Sequence, residues 1–268
     1  MKRIFVVVFS LMVFSVQVYA QNGKSGIIKF ESTFDPAALT AANGIKLSNE
    51  AAARMPGSSI TSFELLFNPD KGIYRQVAEP NKNKHTHYSG SGFFGAGPSR
   101  HYYYNFENHH LLQAFVLNDT LFLVEDKLGI LPVPGDSVNH PAPVIEYTKS
   151  DEIKQILGFN CHQVTASIKL KHKIQGVEKE ITDQFILWYT NEPGFDFSPN
   201  PVLWTEGVVL AIEGKGTRTE AKSMHYQDVN PKELDLPANR IIINQEQLRS
   251  KIDLRRKQAN LSRIGSWN

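Results

Sequence analysis

The chain has 268 residues, of which 41% are hydrophobic and 21% charged, with 29 basic against 27 acidic side chains and one cysteine. Near-neutrality gives no global attraction for nucleic acid or acidic polymers, so a nucleic-acid partner is not expected. A lone cysteine forms no internal disulfide, leaving burial and backbone ladders to hold the fold.

The first residues, MKRIFVVVFSLMVFSVQVYAQNG, have the layout of a secretory signal peptide. Lys2 and Arg3 precede an apolar run from Ile4 to Val16, and Val18 and Ala20 suit cleavage after residue 20. The run is shorter than the roughly 18 residues of a spanning helix, and no cysteine near the cut offers a lipid attachment point. The expectation is export to the periplasm or medium without a transmembrane anchor. Loss of residues 1–20 removes Lys2 and Arg3, leaving 27 basic against 27 acidic side chains. The rest is expected to form a single β domain over 21–240 and a basic helical tail over 241–268.

In chain order, GIIKFESTF (26–34) alternates as a first strand. Asp35 before Pro36, and Ser48 before Asn49 and Glu50, mark two helix starts in Ala-rich stretches. ITSFELLF (60–67) and IYRQVAE (73–79) flank an NPDKG turn as a hairpin. Residues 80–100 read as an exposed loop. HYYYNF, LLQAFVL and TLFLVED resume strand character, with Asn118-Asp119 turning between the last two. GILPVPGDSVNHPAPV is too proline-rich for a central strand. QILGFNCHQVTASIKLKHKI then runs to Gln175-Gly176 and returns as VEKEITDQFILWYT, the longest predicted hairpin. VVLAIEG and TRTEAKSMHY supply further strands, and from Asn244 a helix places Leu248, Ile252 and Leu254 or Arg255 on one side. The predicted fold is mainly β: a curved, half-barrel-like antiparallel sheet with a few accessory helices.

Cys161 adjoins His162, but strand neighbours point to opposite faces. Leu157, Phe159 and Cys161 are predicted to share one face, and His162 the other. A Cys–His nucleophile needs hydrogen-bond reach, so Cys161 is expected to be a buried structural thiol. Gly90, Gly92 and Gly95 satisfy a dinucleotide-binding pattern formally, yet a polar loop precedes them and Pro98 follows, where a strand and a helix are required. His85 and His87 share a face if extended, and His101, His109 and His110 follow. No acid or cysteine joins them at fixed spacing, so neither a metal site nor a cofactor is expected. Phe93 and Phe94, between glycines, either form a contact tip for a greasy ligand or fold back over the sheet. With Tyr102 and Tyr104 they make the candidate ligand-binding set.

FLVEDK, KQILGFNCHQVTA, FILWYTNE and EGVVLAIEG occur in that order, and over roughly residues 110–226 the chain resembles the GLPGLI family of exported Gram-negative envelope proteins. The family's Ile-x-Gly-aromatic-x-Cys pattern is carried by Ile156 or Leu157, Gly158, Phe159 and Cys161, and its Trp-Tyr-Thr by Trp188, Tyr189 and Thr190. Gly207, Val208 and Val209 match the second half of the namesake hexapeptide, while 203–206 depart from the first. The resemblance implies no catalytic residues, and these positions are expected to be structural. The strand pattern also looks like that of periplasmic lipoprotein carriers, a likeness of fold alone. No HExxH, GxSxG, P-loop or CxxC occurs. The expectation is a non-catalytic binding or interaction module whose partner is an outer-membrane protein or an apolar ligand against the sheet. The alternatives are a carrier of lipid or lipidated protein and a secreted hydrolase whose site is scattered in sequence.

Overall fold

The computed structural model describes residues 24–77, 101–117, 119–129, 144–174, 177–203 and 206–265. Twelve strands form one open, curved, mixed sheet. A first meander comprises β1 (Gly26–Phe34), β2 (Ser59–Phe67), β3 (Lys71–Gln76), β4 (His101–Asn105), β5 (His110–Leu117) and β6 (Thr120–Lys127). A second comprises β7 (Val144–Ile156), β8 (Phe159–Ile174), β9 (Val177–Thr190), β10 (Val208–Gly214) and β11 (Thr217–Tyr226). Antiparallel pairing of β1 with β11 joins the two meanders, and β12 (Ile241–Ile243) runs parallel to β6 at one end. The spatial order is β12-β6-β5-β4-β3-β2-β1-β11-β10-β9-β8-β7.

The local signals for the short helices act as read. Asp35 caps α1 (Pro36–Ala42), its carboxylate accepting from the amides of Ala37 and Ala38. Ser48 caps α2 (Asn49–Ala53) through the Ala51 amide. A long helix, α3 (Gln245–Gly265), follows β12. Leu248 packs against Leu117, Phe122 and Ile243, but Leu254 is 59% exposed and belongs to the solvent side. No described helix is long and apolar enough to cross a membrane.

Two expectations about the long hairpin are corrected. The arm does not run unbroken from Gln155: β7 ends at Ile156, and Leu157-Gly158 form a two-residue turn with φ of 54° and 86°. Leu157 is therefore an exposed turn residue, and only Phe159 and Cys161 share the core face. The charged segment VIEYTKSDEIKQI, not predicted as a strand, is a 13-residue strand along β8. It lacked the alternation of a half-buried strand because almost all of it is exposed.

Both faces of the sheet are packed. On the front, Ile28, Phe30, Phe63, Leu65, Tyr74, Tyr104, Cys161 and Trp188 form one buried cluster. The β9–β10 connection lays Phe195 and Phe197 across it. Phe197 is fully buried, its ring centroid 5.1 Å from Tyr104, 5.4 Å from Tyr74 and 5.8 Å from Phe30. The chain's own aromatic side chains thus cover this part of the front face. The back carries Val164, Ala166, Ile168, Leu187, Tyr189 and Val209 in one cluster and Leu66, Ile73, Tyr103, Leu112, Leu123 and Leu234 in another. A bulge in β10 sets Val209 opposite Tyr189 and Ala211 opposite Trp188, so Leu210 and Ala211 both join the front cluster.

Candidate functional site

The family-pattern residues are placed by this two-faced packing. Trp188 enters the front cluster, with the Lys154 ammonium 5.4 Å from its ring, and Tyr189 enters the back. Thr190 is buried where β9 ends. Cys161 is buried in the front cluster, its thiol donating to the Phe159 carbonyl at 3.7 Å, and burial pushes the thiol up to about 11. His162 lies exposed on the other face, its ring 6.1 Å from that of Tyr189. The adjacent imidazole therefore does not serve the sulfur.

Gly158 and Gly207 answer different demands. Gly158 needs only its positive φ, since nothing lies within 4 Å of an added Cβ. Gly207 combines a φ of 73° with a crowded site where an added Cβ would collide with the Thr190 carbonyl and Asn191 Oδ1. Its amide donates to Asp196 Oδ1 at 2.6 Å.

That bond borders a polar cleft of about 540 Å³ at one end of the front face. Asp70 from the β2–β3 turn, Glu107 from the β4–β5 turn, and Asn191 and Asp196 from the β9–β10 connection line it. His109, at φ 54°, brings Nδ1 to 3.6 Å from Asp196 Oδ2.

A second groove, about 490 Å³, lies on the back. Tyr103, Leu112, Leu234 and Leu236 make its apolar floor, and Lys71, His110, Asp235 and Arg240 surround it. A 3-10 turn at Pro231–Leu234, capped by Asn230, presents Leu234 to the sheet. Lys71 Nζ donates to Asp235 at 2.7 Å across the groove. Tyr103 stacks on His101 at 4.8 Å. Burial first, and then the Arg75 guanidinium, lower the His101 pKa.

Of the predicted ligand-binding set, Phe93 and Phe94 lie outside the described residues, as do His85, His87 and the glycine pattern at 90–95. Tyr102 packs at the edge of the front cluster. Tyr104 borders the back groove, but its ring is in the aromatic cluster and its hydroxyl donates to the Ser198 carbonyl at 3.0 Å. Sequence reasoning missed Tyr103, Leu112, Leu234, Leu236, Lys71 and Arg240, because no local spacing links them. The one available signal was the apolar alternation of Leu234 and Leu236 after Asn230-Pro231. Among the described residues no group of three or more His, Cys, Asp or Glu is placed to hold a metal ion.

The sequence matches no family model and no curated protein sequence. Among solved structures, the chain is similar to PNGF-II in two crystal forms. In the P21 form the TM-score is 0.48 at 17% identity, covering 85% of this chain and 33% of that one. In the C2 form the TM-score is 0.48 at 16% identity, covering 85% and 32%. The chain therefore spans about one third of the length of PNGF-II.

Proposed function

We propose that this chain is an exported cell-envelope protein of the GLPGLI type, periplasmic or released, that acts as a non-catalytic binding module. Its ligand is an amphiphile with an acidic head, held in the back groove. The observation that carries this reading is the combination, in one cavity of about 490 Å³, of an apolar floor with Arg240 and the Lys71–Asp235 ion pair around it, leaving one net positive charge among these three groups. A cavity of that size suits a small ligand, and few placed polar groups fix its orientation. An apolar chain on Tyr103, Leu112, Leu234 and Leu236 leaves water while an anionic head meets the cations. A carrier of lipid or lipidated protein is the more specific form of this reading, and an outer-membrane protein is a natural recipient.

The test is native mass spectrometry of the protein purified from its own envelope, followed by titration with a fluorescent fatty acid. Co-purifying lipid, and at least tenfold weaker binding in Leu236→Glu and Arg240→Glu, are expected. Absence of bound lipid together with no binding of the fatty acid would remove the reading.

One observation favours a hydrolase instead: Asp196, which lines the polar cleft with Glu107 and Asp70, has His109 Nδ1 3.6 Å from its other carboxylate oxygen. Hydrolysis of an envelope-derived substrate that His109→Ala abolishes, with the fold unchanged by circular dichroism, would establish that alternative.

A further inference from the structure

The two ends of the sheet are finished differently. At one end β6 is covered by the three-residue β12, after which α3 sets Leu248 against the sheet and the Lys251 ammonium 4.9 Å from the Phe122 ring. At the other end β7 presents 13 residues, and no described element pairs with its outer side. Val144, Tyr147 and Ile153 are 56%, 41% and 61% exposed along it. A strand of this length whose outer side meets no described element, with exposed apolar side chains, is a template for another strand.

We infer that β7 pairs antiparallel with β7 of a second copy of this chain, about a two-fold axis at Ser150, making one continuous sheet through both molecules. The argument is self-complementarity. A two-fold axis perpendicular to the sheet keeps each face continuous, so opposed residues must have the same parity. With the axis at Ser150, Lys149 falls opposite Asp151 of the second copy, Glu146 opposite Lys154, and Tyr147 opposite Ile153. Each pair occurs twice by symmetry. Neighbouring registers lose this match. An axis at residue 149 sets Glu146 against Glu152, one at residue 151 sets Lys149 against Ile153, and one at residue 148 sets Asp151 against Ile145. Opposite charges and apolar pairs directly across a ladder stabilise it, and like charges destabilise it.

The inner ladder fits the same axis. The register of β7 on β8 shifts between Lys149 and Ile153, yet Lys149 faces Val164 and Ile153 faces His162, so the odd-numbered residues return to the same face beyond the irregularity. Glu146, Lys149 and Lys154 already pair inward with Lys169, Glu206 and Glu213 at 2.7, 2.9 and 3.7 Å. All are exposed enough for the second copy to extend these pairs into networks. The surface lies on the outermost described strand of the second meander, away from the back groove on β3–β5, so the inference stands apart from the proposed ligand.

Sedimentation velocity of the protein purified from its envelope tests it. The wild type is expected to show a concentration-dependent dimer. Lys149→Asp or Asp151→Lys sets like charges opposite each other twice and weakens the dimer roughly tenfold, whereas the double exchange Lys149→Asp with Asp151→Lys restores it. Ser150→Cys is expected to form a disulfide-linked dimer on mild oxidation, since the native Cys161 is buried. A wild type that sediments only as a monomer, or a dimer indifferent to the single reversals or not restored by the exchange, would overturn the inference.

Discussion

The Gly207 amide reaches Asp196 Oδ1 at 2.6 Å, and this contact ties the residue just before β10 to the first part of the β9–β10 connection. Between these two residues Phe197 bonds back, its amide donating to the Gly207 carbonyl at 3.0 Å and its carbonyl accepting from Val209 at 2.8 Å. The aromatic plug on the front face depends on this closure. Gly207→Ala adds a Cβ that meets backbone at Thr190, in a conformation that already disfavours a side chain. Gly158→Ala meets only the conformational cost, about 1–2 kcal/mol. In urea unfolding Gly207→Ala is expected to lose clearly more stability than Gly158→Ala, and equal losses would contradict this account of the two glycines.

Removing the plug itself is a core truncation. Phe197→Ala is expected to destabilise by about 3–5 kcal/mol and to reduce the near-ultraviolet circular dichroism of the aromatic cluster. A loss below about 1 kcal/mol would mean that the connection does not hold the front face.

The turn at Leu157-Gly158 carries a mismatch. Leu157 sits at φ 54°, where Asn is the preferred partner of Gly in a two-residue hairpin turn, and its side chain is exposed. Leu157→Asn is expected to raise the unfolding midpoint, with a gain of about 0.5–1 kcal/mol by relief of backbone strain. A lowered midpoint would show that Leu157 packs usefully.

Cys161 gives a pH-dependent signature. Its thiol is pushed from an ordinary 9.0 up to about 11 in the folded chain, mainly by burial. A raised folded pKa means that the unfolded chain releases its proton first. The contribution is complete below pH 9 and is lost as pH rises toward about 11. Denaturation curves of the wild type should therefore fall more steeply across that window than those of Cys161→Ala, and native Cys161 should resist thiol reagents at neutral pH. Parallel curves, or rapid native labelling, would count against a sequestered sulfur.

Much of the fold was legible because its causes are local. Asp35 and Ser48 cap helices through their own side chains, and the alternation in GIIKFESTF records a strand more buried on one face than the other. The long arms β8 and β9, read as one hairpin, pair antiparallel along their length. β7 escaped notice for the converse reason: an exposed edge strand has no apolar period, and only its ladder to β8 makes it a strand. The groove residues escaped because a cavity wall collects side chains from β3, β4, β5 and the 230–240 segment, which no spacing rule connects.

What the sequence determined by itself was therefore the class of structure and the character of its parts: strand-rich, without an internal disulfide, and with a sulfur set among apolar neighbours. The tertiary structure alone decided that Phe195 and Phe197 cover the front cluster, that Gly207 has no room for a side chain, and that β7 is the last of the described strands in the sheet. Local patterns report which residues leave water. Which surfaces meet depends on contacts between segments far apart in the chain, and those exist only once the sheet is assembled.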